Sequence, residues 1–192
     1  MDDVLSPIVR LQVQTEPLKR GDKPHRWYDP APIQQVERLY VDDAGATGEL
    51  NGTKVLDAHH TAHPRSRNHG RASGLSIGFT SHYRAMRDMF GNHIVDGVAG
   101  ENVLIDVADQ VTPVRLDGAA LRTSDGAVIP LTEVHVAEPC VEFSRFTLGV
   151  EPGGAGPSMR EPLRQLMGGM RGFYVALAQP VTLQPGDQLL LH

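Results

Sequence analysis

The chain carries one cysteine, Cys140, in the stretch 136–146, VAEPCVEFSRF. A single thiol has no internal disulfide partner, so its sulfur is either a small buried hydrophobe, a nucleophile or a soft metal ligand. Apolar alternation ahead of Cys140, the preceding Pro139 and continued alternation after it place the thiol at a strand end. A second cluster is the stretch 59–71, HHTAHPRSRNHGR. Arg65, Arg67 and Arg71 offer planar, multidentate donors that suit phosphate or carboxylate, and a solvated basic loop is the alternative. His59 and His63 lie four apart, with His60 between them, a spacing that on one helix face binds zinc. Pro64 disfavours helix there and no H-E-x-x-H pattern accompanies the pair, so an anion site is the sharper expectation.

Two further groups stand where strands meet other elements. Thr80 and Ser81 follow the alternating run Leu75, Ile77, Phe79 and open a helical stretch that Gly91 closes. Their hydroxyls can cap the helix, and its unpaired backbone N–H groups make a phosphate-binding corner. Glu101 and Asn102 follow Gly97 and Gly100, which allow close backbone approach, and sit at the mouth of the strand Val103, Leu104, Ile105.

The elements that must position these groups are mostly strands. Ile8, Val9, Leu11 and Val13 begin the chain as a strand, and residues 15–32 follow as a long irregular loop with Lys19, Arg20, Arg26 and the only tryptophan, Trp27. Residues 33–41 read as one strand, and Gly45, Gly48 and Gly52 mark a turn-rich segment. From Val111 a meander of strands punctuated by Asp117-Gly118 and Asp125-Gly126 leads to Cys140. Ser158 and Glu161 have capping-box spacing for a second helix, and the strands FYVALA and QLLL close the chain around a Pro-Gly turn. The expected fold is mainly β, a β-barrel with two or three short helices, formed as a single domain over residues 1–192.

Composition narrows the classes of function. With 192 residues, 40% hydrophobic and 21% charged, the chain can bury a core without staples. A net charge of -5 and a pI near 6.0 lack the basic excess of nucleic-acid or anionic-membrane binders. No apolar run approaches the ~20 residues that span a bilayer, and the acidic start MDDVLSPIVR is unlike an export signal, so a cytoplasmic location is expected.

Four short motifs in order give a family likeness: GENV at 100–103, PC at 139–140, RGFYVAL at 171–177 and PGDQLLL at 185–191. In these the chain from about Val36 onward resembles the MOSC domain, named after the C-terminal domain of molybdenum cofactor sulfurases. The resemblance implies a barrel of the MOSC or pyruvate-kinase-barrel type and a sulfur or molybdenum-pterin role for the cysteine. It makes Cys140 the metal ligand or sulfur carrier. It matches Thr80, Ser81 and Asn102 to positions that hold the pterin, and with the basic-loop Arg65 and Arg67 and the motif residues Glu101 and Arg171 these make up the expected cofactor-binding set. A second cysteine found in some members three positions ahead is Ala137 here, and the His-Gly-Gly pattern of others is replaced by HPRSRNHGR.

Three functions follow from this likeness. One is a molybdenum-dependent oxidoreductase that binds molybdenum cofactor and reduces N-hydroxylated compounds with a redox partner. The second is a metal-free sulfurtransferase that takes a persulfide on Cys140 from a cysteine desulfurase. The third is a non-catalytic binder of a phosphorylated small ligand such as pyridoxal phosphate, for which no lysine stands out as Schiff-base partner.

Overall fold

The computed structural model describes residues 4–66, 74–154 and 156–191. Seven strands close into a barrel, and the closure depends on the first of them. Strand β1 (Val4–Gln14) is long enough to pair antiparallel with three partners in turn. Residues 4–7 meet β14 (Gln188–Leu191), residues 8–11 meet β9 (Val103–Ile105), and residues 12–14 meet β4 (Ile33–Gln35). A register shift between Ile8 and Arg10 supplies the local twist that carries the strand from one partner to the next. The other staves are β10 (Ala120–Arg122), β11 (Val128–Val136), β12 (Phe173–Leu177) and β8 (Leu75–Phe79), in the order β14-β10-β11-β12-β8-β9-β1. Because β14 returns to β1, no stave is left with an open edge. Among the described strands only β8 and β9 pair in parallel.

Strand β9 shows how one short apolar run serves two cores. Its three residues are all buried, Val103 and Ile105 among the barrel-filling side chains and Leu104 in an outer cluster with Tyr28, Tyr83, Met86, Ile94 and Phe143. The outer cluster is completed by helices α1 (Thr80–Phe90) and α2 (Val141–Thr147), with α3 (Arg160–Gln165) beside it. None of the described helices is long and apolar enough to cross a membrane.

The helix after Cys140 departs from the sequence expectation. Residues 141–147 coil instead of continuing to alternate, because Phe143 and Phe146, three apart, both pack on the Tyr28 ring at 5.0 and 5.3 Å between centroids. Residues 33–41 split into β4 and β5 (Arg38–Asp42), which belong to different sheets. The glycine-marked segment is a hairpin, β6 (Gly45–Leu50) and β7 (Thr53–Leu56), turning on Asn51 and Gly52 at φ 50° and 73°. With β13 (Val181–Leu183) and β5 it forms a separate four-stranded sheet. Residues 113–116 are a 3-10 turn, not a strand. The 15–32 loop contains a small hairpin of two-residue strands, β2 (Lys19–Arg20) and β3 (Trp27–Tyr28), anchored by the buried Tyr28 hydroxyl donating to the Val98 carbonyl at 2.7 Å.

Gly172 joins the barrel to the site. Its φ is 95°, and a Cβ there would lie 2.2 Å from the Ile77 carbonyl oxygen on β8. Gly126, at φ 90° in the β10–β11 turn, has nothing within 4 Å of its missing Cβ. Urea denaturation is therefore expected to show Gly172→Ala destabilised by at least ~2 kcal/mol and Gly126→Ala by only about 1 kcal/mol, since strain acts alone at the second position.

Candidate functional site: a basic cleft at one end of the barrel

The ends of β1 and β11 and the starts of β8, β9 and β12 meet at one end of the barrel, where they border a cleft of about 1000 Å³. Its walls include Lys19, Arg20 and Arg26 of the 15–32 segment, His59 and Arg65 of the next loop, and Ser76, Glu101, Glu138, Arg171 and Tyr174. The long irregular segment thus forms one wall.

Arg171 ties this end together. Its Nη1 donates to the Glu138 carbonyl at 3.1 Å and lies 3.7 Å from Cys140 Sγ, while Nη2 reaches the Ala99 carbonyl at 3.5 Å. The guanidinium carbon sits 4.6 Å above the centre of the Phe143 ring. Among the described residues Arg171 forms no ion pair, and its buried Nε has no hydrogen-bond partner. Its hydrogen-bond acceptors are two carbonyls and a thiol, and Glu101 feels its charge without pairing with it. The other cations differ: Arg20 and Arg65 share Glu16 at 2.6 and 2.8 Å, and Lys19 and Arg26 face Glu142 at 3.8 and 3.5 Å. Cys140 is partly buried at the start of α2, with its sulfur packed against the outer cluster.

Glu101 is 3% exposed and lines the cleft. Burial pushes its carboxyl up from 4.5 to about 7, against the opposing pull of the Tyr83 hydroxyl, its own backbone N–H, Arg10 and Arg171. The Tyr83 hydroxyl donates to Oε2 at 2.7 Å, while Oε1 is buried without a partner.

Asn102 faces inward. Its Oδ1 accepts from the Ser76 N–H and hydroxyl, each at 3.0 Å, and its Nδ2 donates to Gln12 O at 3.3 Å and Asp57 Oδ2 at 2.9 Å, which fills the capacity of an amide. Asp57 is fully buried and accepts three further bonds, from Gln14 N and from His59 N and Nδ1, at 2.8, 2.8 and 2.9 Å. Asn102 therefore holds Ser76 and, through Asp57, His59 at the cleft wall.

Of the residues that the sequence singles out, the structure gathers Arg65, Glu101 and Arg171 in the cleft, with Cys140 against Arg171. Thr80 and Ser81 stand at the opposite end of β8 from Ser76, and neither caps α1: Phe79 is the N-cap residue, with no side-chain cap. Thr80 Oγ1 is bonded to Asp106 Oδ1 at 2.6 Å, which sets a carboxylate at that corner. Arg67 and Arg71 lie outside the described residues. His59 and His63 face different partners, Asp57 and the Thr15 carbonyl. Tyr83, which its helical spacing with Met86 and Phe90 marks as a core position, is the partner of Glu101. The signal was available, because a buried tyrosine hydroxyl needs an acceptor.

The sequence matches no protein-family model and no curated protein. Solved structures share the fold. YuaD from Bacillus subtilis is 15% identical over 100% of this chain and 97% of its own, with a TM-score of 0.62. YiiM from Geobacillus stearothermophilus is 15% identical over 97% of this chain and 75% of its own, at 0.53, and YiiM from Escherichia coli is 16% identical over 83% and 64%, at 0.51. YuaD and YiiM are MOSC-domain proteins, and at these identities the likeness is one of fold.

The Glu101 carboxyl has a consequence for stability. The unfolded chain releases this proton near pH 4.5 and the folded chain near 7, so between these values the folded state binds more protons and stability falls as pH rises. The loss is complete above pH 7 and amounts to about 3 kcal/mol. Glu101→Gln removes it: the stability difference between variant and parent, from denaturant titrations, should shift by about 3 kcal/mol in the variant's favour between about pH 4 and pH 8.

Proposed function

We propose that this chain is a MOSC-type protein that binds an anionic, phosphate-bearing molybdenum cofactor in the basic cleft, with Cys140 as the protein's ligand to the metal. The observation that carries this reading is Arg171, a cleft cation without an ion-pair partner held 3.7 Å from the sulfur of Cys140, the only thiol, which packs beside it against the outer cluster. A half-buried guanidinium without an ion-pair partner favours an anionic ligand, and its planar fork suits phosphate.

The donor set fits such a group. Among the described residues no cluster of three or more His, Cys, Asp or Glu could hold a metal ion. A metal bound here would bring most of its ligands with it, as a metal-pterin does, and would need one soft donor from the protein. The cleft of about 1000 Å³ is large enough for a cofactor of that size. Behind the wall, Arg171 Nε and Glu101 Oε1 are buried polar atoms without partners. When bound, such a cofactor supplies two-electron redox chemistry, and the family likeness makes N-hydroxylated compounds the substrates. The chain's own residues do the rest. Arg171 offsets negative charge and positions the Cys140 sulfur, Arg65 and Lys19 extend the positive wall, and Asn102 fixes the strand mouth that presents Glu101.

Purification from a host that makes the cofactor, followed by metal and pterin analysis and intact mass, tests this. Near-stoichiometric molybdenum and pterin are expected, with molybdenum lost in Cys140→Ser and retention lowered at least tenfold in Arg171→Ala. A sulfur-heavy Cys140 with no metal would instead identify a persulfide carrier. A metal-free chain that retains pyridoxal phosphate or another phosphorylated ligand through Arg171 alone would leave a binding module.

A further inference from the structure

The atoms around Glu101 settle where its proton sits. The Tyr83 oxygen accepts the Ala99 N–H at 3.0 Å, and its single proton is directed at Glu101 Oε2, 2.7 Å away. Oε2 is therefore an acceptor, and the acid proton, when present, is on Oε1. That oxygen is buried and has no partner. It lies against Gly78, where a Cβ would come within 2.9 Å, so a glycine in β8 makes room for the carboxyl. The charged and titratable groups facing Glu101 are Tyr83 from α1, Arg10 from β1, Arg171 ahead of β12, and Tyr28 from β3. A carboxyl with a half-protonated state near neutrality, an acidic oxygen without a hydrogen-bond partner and a hydroxyl to steady its anion has the properties of a group that takes up and releases a proton.

We propose that Glu101 is the proton-holding residue of the cleft wall, carrying its proton on Oε1 and taking one up or releasing it as an anion binds or leaves beside Arg171. On uptake a proton from water bonds to a lone pair of Oε1, and on release the Oε1–H bond breaks and the proton returns to water. The carboxylate that remains is steadied by the Tyr83 hydroxyl and by the positive charges of Arg171 and Arg10. This rests on the cleft being the ligand site, and it does not depend on which metal or cofactor occupies it. An anion set against Arg171 cancels part of the positive charge facing Glu101 and so raises its proton affinity, which couples ligand binding to proton uptake.

Infrared difference spectra of the ligand-free chain test the proton's location. A buried carboxylic acid band should disappear as pH rises through about 7, be absent in Glu101→Gln, and move to higher pH in Tyr83→Phe, which loses the hydrogen bond that stabilises the anion. Calorimetry with sulfate, which does not titrate in this range, in two buffers of different ionisation heat counts protons taken up on binding at about pH 7. The parent should take up a fraction of a proton more than Glu101→Gln. Cys140→Ser should leave both signals in place while losing metal, so failure here and failure of the cofactor reading are told apart. The proposal is overturned if no Glu101 acid band persists above about pH 5, if Tyr83→Phe leaves the band's titration unmoved, or if parent and Glu101→Gln take up equal numbers of protons.

Discussion

The site depends on one cation held where its charge is not neutralised. Arg171 reaches the Glu138 and Ala99 carbonyls, the Cys140 sulfur and the Phe143 ring, so it joins the end of β11, the start of β9 and helix α2. It can do so because the next residue is Gly172, whose backbone lies against the Ile77 carbonyl of β8 in a conformation that side chains resist. A half-buried guanidinium without an ion-pair partner has lost part of its hydration, and a bound anion would replace it. The same charge lowers the proton affinity of Glu101, so the two residues answer to whatever enters the cleft.

The barrel makes this placement rigid. Strand β1 closes the sheet by turning from β14 to β9 to β4, and the mouth it reaches is fixed by a buried polar relay. Asp57 accepts from Gln14 of β1, from Asn102 ahead of β9 and twice from His59. Every lone pair and proton of the Asn102 amide is used, which is the condition under which a buried polar network specifies one geometry. The outer aromatic cluster of Tyr28, Phe143 and Phe146 does the corresponding work for α2 and hence for Cys140.

Much of this was legible from residue types and local order. The mainly β barrel, the helix after Phe79, the Asp125-Gly126 hairpin and the short motifs carrying Glu101, Cys140 and Arg171 all stand in the sequence. What local pattern could not show was decided by long-range contact. The apolar alternation through Val141 and Phe143 is weaker than the pull of the Tyr28 ring on two phenylalanines three apart, so helix won. Thr80 and Ser81 form a reasonable anion corner by residue type, yet Asp106, at the far end of a parallel strand, occupies the Thr80 hydroxyl. The Asn51-Gly52 turn was readable and signals the β6–β7 hairpin. The contribution of Lys19, Arg20 and Arg26 to the cleft wall depends on Tyr28 anchoring the loop to Val98, a contact across seventy residues.

The most direct measurement is X-ray absorption at the molybdenum edge, made on parent protein and Cys140→Ser after loading with the cofactor. The account predicts one more sulfur around the metal in the parent than in the variant. Identical sulfur counts, or a parent protein that takes up no molybdenum, would contradict it.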